Sequence, residues 1–409
     1  MHSAPEAPLP ADRVRCYAIW LGGAQVGTAR ETEQWSAAGV VLRRSEAMRF
    51  LRGDAPVAIE TTIEIVADAA LVPSRVTWTE QAQSLRRGEA VHDATGWTVR
   101  DDAGARRLPD RAIPAELAPL VVRRDGRFAG PVFLPARGFV AGAGRIEPVA
   151  PGRLIARIAF TSAADAEAPD DEARGAPGEA TAEATIDLGD DGMPVRVVDG
   201  EGVIATRISA AEAARRFAPA DLIAATAIAL SGAPSHRLLL EGDLAVPPVP
   251  GQRMRRLPDG AELELSAELG GGLPPGAPGA DRTHEIAALV QRVRGRIAPD
   301  LAADATSART AAAATAGDCT TFALAYTALA TERAIPTLLV TGFRVDGDRL
   351  VRHRWAVSWT GGAWIAVDAA FGAVPAGGDL VGLAIHDADD LGLVAGEAAL
   401  THLRAAAWQ

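Results

Sequence analysis

With 409 residues, 48% of them hydrophobic, the chain is long enough for two or three packed domains and too apolar to be disordered. Its net charge of −11 argues against nucleic acid or an anionic membrane as partner. All 41 basic residues are Arg, with no Lys and no Asn, so no Schiff-base lysine is available and a histidine can be oriented only by Asp or Glu.

The start, Met1-His2-Ser3-Ala4-Pro5, has no basic n-region followed by an apolar stretch, so no signal peptide is read in this chain. Nowhere does an apolar run approach the ~20 residues of a membrane span, and the chain reads as soluble. Two cysteines, Cys16 and Cys319, are too few for a disulfide framework or a zinc cluster, and no His-x-x-x-His pattern accompanies them, so no metal is expected.

Residues 1–12 read as a loose tail. From Arg13 short apolar runs separated by turn residues recur about every ten residues, the pattern of an antiparallel β domain over 13–217. Strands are expected at 16–21, 39–43, 58–67, 75–80 and 96–100, with Val91, Trp97 and Val99 on one face. Residues 101–150, rich in Pro and Gly, read as irregular cover with a few strands. Strands at 153–161 and 182–188 flank 162–180, which lacks periodicity and reads as a mobile loop. Ser209-Ala210-Ala211-Glu212 is a capping box opening a helix to Phe217. A small β unit is expected over 218–269, with strands at 221–230, 236–241 and 261–267. A Gly/Pro linker at 270–280 follows. Ile286, Leu289, Val290, Val293 and Ile297 then form the apolar stripe of a helix.

Chemistry concentrates in the last domain, 281–409. Asp318 is placed to cap a helix, which puts Cys319 in its first turn, where exposed N–H groups favour a thiolate. Strands follow at 336–345, 350–359 and 363–370. If Gly361-Gly362 is a two-residue loop, paired residues sum to 723. His353 and Asp368 then lie diagonally on one face, within reach of a carboxylate–imidazole hydrogen bond. The Cys319 helix is expected on that same face, so nucleophile, base and orienter converge. Taken singly, each residue has a plainer reading: Cys319 and Cys16 as buried apolar residues, Trp355 as core or pocket wall, His402 as a structural hydrogen-bonding residue.

Gly317-Asp318-Cys319, Ala334-Ile335-Pro336, His353-Arg354-Trp355 and Trp364-Ile365-Ala366-Val367-Asp368 together resemble the bacterial transglutaminase-like family. The resemblance implies an α+β, papain-like domain after the β region, with Cys319 as nucleophile, His353 as base and Asp368 as orienter. It implies acyl transfer on amides of a peptide or protein through a thioester, ending in hydrolysis or amine transfer and needing no cofactor. The alternative is an inactive relative serving as a binding or assembly module, and a third arrangement has the β domains covering the site. The preceding β regions resemble those of bacterial, often exported, proteins, which suggests a periplasmic or otherwise exported location. Val357 stands where the family often has Glu, and Asp368-Ala369-Ala370 where it often has Asp-Pro-Thr.

Overall fold

The computed structural model describes residues 10–102, 104–160, 180–303 and 308–409. Two compact units emerge. One comprises residues up to Phe50 and Val57–Ala220; the other comprises Leu51–Pro56 and Asp221–Gln409. The expected loop at 162–180 falls outside the described residues except for Ala180, which opens a strand, and so does most of the tail.

The first unit is one sheet, with fifteen strands among the described residues. Arg13–Leu21 lies in its middle, and antiparallel hairpins step outward from it through Ala24–Ser36, Gly39–Arg52, Ala55–Ala67, Pro73–Gln81 and on to Gly104–Arg107. On its other side Ile204–Ile208 pairs with it, leading through Ala180–Leu188, Arg153–Phe160 and Val140–Ala150 to Phe128–Leu134. Residues 101–150, expected as irregular cover with a few strands, include two long ones, Phe128–Leu134 and Val140–Ala150. Alternation is legible in Phe128–Leu134 only in part, because Gly130 and Pro131 interrupt the apolar pattern from which strands are recognised. Val91 is not on the face of Trp97 and Val99. Its register partner is Thr98, so it points the other way and is 40% exposed, while Trp97 and Val99 are buried. The Ser209–Glu212 capping box forms, but its helix ends at Ala213.

In the second unit, residues 218–269 were expected as a separate β unit of three strands; they hold four, Ile228–Ser231 (β1), Arg237–Gly242 (β2), the unexpected Gln252–Leu257 (β3) and Gly260–Leu265 (β4). They join the last domain's sheet instead. That domain adds helix Thr283–Arg296 (α1), helix Cys319–Glu332 (α2), strands Thr337–Asp346 (β5), Arg349–Trp359 (β6), Trp364–Val367 (β7) and Leu380–His386 (β8), helix Asp390–Leu400 (α3), and strand Leu403–Trp408 (β9). The sheet order is β3-β4-β2-β9-β1-β6-β5-β8, with β7 also on β6. The C-terminal strand β9 stitches the early strands in, since it pairs with both β1 and β2. Residues 221–227, read as strand, hold a short helix, Leu222–Thr226, capped by Asp221.

Residues 270–280 are not a free linker. Trp359 Nε1 donates to Ala277 O and Trp364 Nε1 to Pro274 O, both at 2.7 Å, and Gly279 N donates to Gly361 O. Small residues let this segment lie against the indoles; a Cβ on Gly276 would come within 2.9 Å of Trp359. No helix among the described residues is long and apolar enough to cross a membrane.

Candidate active site

Asp318 caps α2 as the sequence implies: its carboxylate accepts from Thr321 N at 3.1 Å. Cys319 is therefore the first helical residue, and it is half-buried and unpaired with Cys16. Gly317 is required before the cap, because a Cβ there would fall 2.3–2.4 Å from the Thr321 side chain. The cap carboxylate also takes an ion pair at 3.2 Å from Arg52, in the hairpin tip 51–56 that belongs to this unit. Arg52 lies 266 residues away in sequence, and no local pattern signals it.

The hairpin between β6 and β7 has the register expected from a Gly361-Gly362 loop. Ala356 pairs with Val367 and Trp359 with Trp364, and Thr360 N donates to Ala363 O at 2.8 Å. His353 and Asp368 consequently share a face, and His353 Nε2 and Asp368 Oδ2 are 2.8 Å apart with both side chains buried. The other carboxylate oxygen accepts from Ala370 N at 3.1 Å and Phe371 N at 3.2 Å, which fixes the Asp368 rotamer. β7 itself is shorter than expected, ending at Val367.

The helix arrives differently from the expectation. The body of α2 packs with Leu339, Ala356, Val367 and Ala369. Trp355, on the His353 side of β6, belongs instead to a cluster with Val249, Val340, Val357 and Ala366. By strand alternation, His353 lies on the face away from the helix body. The meeting occurs at the strand edge. β1 pairs with β6 only at 349–350 and β7 only at 356–359, which leaves the intervening edge open. There the first turn of α2 meets the strand: Arg354 Nη1 donates to Thr320 Oγ1 at 3.1 Å, and Cys319 lies near enough to the His353 ring to favour its charged form. Since Nε2 is committed to Asp368, Nδ1 is the nitrogen left for sulfur.

Burial alone would disfavour a charged His353, but the hydrogen bond to Asp368 and the nearby Cys319 outweigh it and raise the ring to about 10. Trp355 does not line an open surface. It is 1% exposed and stacks beneath the imidazole, ring centroids 6.0 Å apart at 17°.

Residues 276–369 match the family model of the transglutaminase-like superfamily. The match starts inside the pinned Gly/Pro segment and ends one residue past Asp368, so it spans Cys319, His353 and Asp368. No curated protein matches the chain. Among solved structures, a DUF1089-family protein of Pseudomonas aeruginosa is similar over 41% of this chain and 87% of its own, at 10% identity and a TM-score of 0.25.

In the transglutaminase-like domain, the two departures from the family pattern lie in apolar surroundings. Val357 is fully buried in the Trp355 cluster, and Ala369 packs with α2. Behind the site is a polar network that sequence reading missed. The buried Arg354 donates to Thr320, to Thr341 Oγ1 at 2.9 Å and to Glu397 at 2.9 Å. Thr341 in turn bonds His386 Nε2 at 2.8 Å, and burial, then Arg354, lower His386 to about 4, so it is neutral. Position beside His353 was the one available signal for Arg354. His402 is exposed in the turn after α3. Among the described residues, no cluster of three or more His, Cys, Asp or Glu is arranged to hold a metal.

Proposed function

We propose that the domain carries out acyl transfer on amide bonds, with Cys319 as nucleophile, His353 as acid and base, and Asp368 as the residue that orients the ring. The observation that carries this reading is a single buried imidazole bonded to Asp368 at 2.8 Å, with the thiol of a helix's first turn near enough to favour its charged form. The match to the transglutaminase-like superfamily supports it. An α+β papain-like class for the domain belongs to the same proposal.

The Cys319 thiolate attacks the carbonyl carbon, and N–H groups of the first turn of α2 receive the developing oxyanion. Thr321 N is already used by Asp318 Oδ1 and Phe322 N by Asp318 O, so the amides of Cys319 and Thr320 are the candidates. His353 gives its proton to the leaving nitrogen as the C–N bond breaks, and a thioester remains. Acylation removes the negative sulfur, one of the interactions that raise the imidazole, so the ring is now a competent base. It takes a proton from the incoming water or amine as that group attacks, and the thiolate departs. The substrate is a peptide or protein amide.

An N-acyl amino acid p-nitrophenyl ester tests the intermediate. The expected result is a burst of about one equivalent of p-nitrophenol and a hydroxylamine-labile mass adduct on Cys319. Absence of the adduct, or its persistence in Cys319→Ser, overturns the reading.

A further inference from the structure

Three residues past Asp368 stands Phe371, 58% exposed, more than any other large apolar side chain of the second unit that is exposed (Met254 39%, Leu301 43%). Its ring meets His353 edge-on, centroids 5.5 Å apart at 69°, on an imidazole whose other neighbour is the buried Trp355. An exposed aromatic gains little from burial, so something else must account for its fixed place.

The loop that carries it is held at every point. Asp368 and Ala373 exchange two backbone hydrogen bonds of 3.0 Å, closing the loop. Phe371 N donates to Asp368 Oδ1. The Arg344 guanidinium sits 3.4 Å from the Phe371 ring centroid and is itself anchored to Asp379 at 2.8 Å. Arg294 donates to Ala370 O at 2.6 Å on the other side, and Gly372, at φ +73°, leaves room for it; a Cβ there would lie 3.1 Å from Arg294. The ring is thus preorganised, exposed and in contact with the proposed base. Preorganised aromatic surface beside reacting groups is what apolar substrate groups recognise.

We propose that Phe371 is a specificity-determining residue: its exposed face receives an apolar or aromatic group next to the reacting carbonyl, and the flanking Arg294 and Arg344 disfavour a cationic group there. This rests on the acyl-transfer reading and names its substrate class as amides adjoining an apolar residue.

The test compares alkylation of Cys319 by N-benzyliodoacetamide and by iodoacetamide in the full chain, rates being read by peptide mass mapping. The wild-type preference for the benzyl reagent is expected to fall about threefold to tenfold in Phe371→Ala and to be retained in Phe371→Trp. Arg344→Gln, which releases the ring, is expected to lose part of the preference and so gives a second reading should Phe371→Ala fold poorly. An unchanged ratio in folded Phe371→Ala, or in Arg344→Gln, overturns the proposal. Failure of the underlying reading is separate: it shows as slow labelling of wild-type Cys319 by iodoacetamide itself, whatever the ratio.

Discussion

Both units bury charge, and they do so in opposite ways. In the first, Arg15, 5% exposed, bonds Glu31 at 2.8 Å and Glu33 at 2.7 Å across neighbouring strands. Glu33, fully buried, also takes Arg123 at 2.6 Å and Trp35 Nε1 at 2.8 Å. Each carboxylate there is held by an arginine, which keeps its charge throughout. In the second, the buried pair is an imidazole and a carboxylate whose third neighbour is a thiol that is half-buried. Among the described residues no arginine holds that carboxylate; an imidazole does, and the thiol beside it is partly exposed. Buried charge by itself therefore does not mark a site. What separates the two is an imidazole near a half-buried thiol at an open strand edge.

The contrast can be broken by mutation. Glu33→Ala leaves Arg15 and Arg123 facing each other with no shared carboxylate, and is expected to cost about 3–5 kcal/mol of unfolding free energy, measured by urea denaturation. A loss below about 1 kcal/mol would mean that the network is dispensable.

It can be sharpened by pH. Burial would raise Glu33, but the bonds from Arg123, Trp35 and Arg15 prevail and lower it to about 2 from 4.5. The first unit's contribution is therefore whole above pH 4.5 and is lost as pH falls through 2. His353 is the reverse. The folded ring keeps its proton to about 10 while the unfolded ring loses it near 6.5. Its stabilisation is whole below pH 6.5 and is lost as pH rises through 10. The expected outcome is that wild type loses on the order of a few kcal/mol between these values relative to His353→Gln, as read by thermal unfolding against pH. Parallel curves for the two proteins would remove the charged imidazole from the account.

How much of this was legible in sequence differs by element. Hairpin parity placed His353 beside Asp368 because strand alternation has a period of two and the Gly361-Gly362 loop leaves no residue to spare. The Asp318 cap and the first-turn position of Cys319 followed from local chemistry. The face on which α2 packs did not follow, since it depends on where β1 and β7 stop pairing with β6, and pairing length is a tertiary property. Residues 218–269 were read as a separate unit because the strand that recruits their strands, β9, lies at the far end of the chain. Gly270–Gly279 has the composition of a linker, yet Trp359 and Trp364 turn the same small residues into a pinned strap. Arg52, Arg354 and Phe371 matter only through contacts made after folding.

The central claim is that one imidazole, charged and shared, holds Cys319 ready to react. Its most direct test is the rate of iodoacetamide alkylation of Cys319 from pH 6 to 9. The expected profile is fast and nearly flat, because His353 keeps its proton across that range, whereas His353→Ala is expected to react slowly at pH 6 and to rise with pH as an ordinary thiol of pKa ~8.5 does. If the wild-type profile rises in the same way and at the same rates as that of His353→Ala, the claim is wrong.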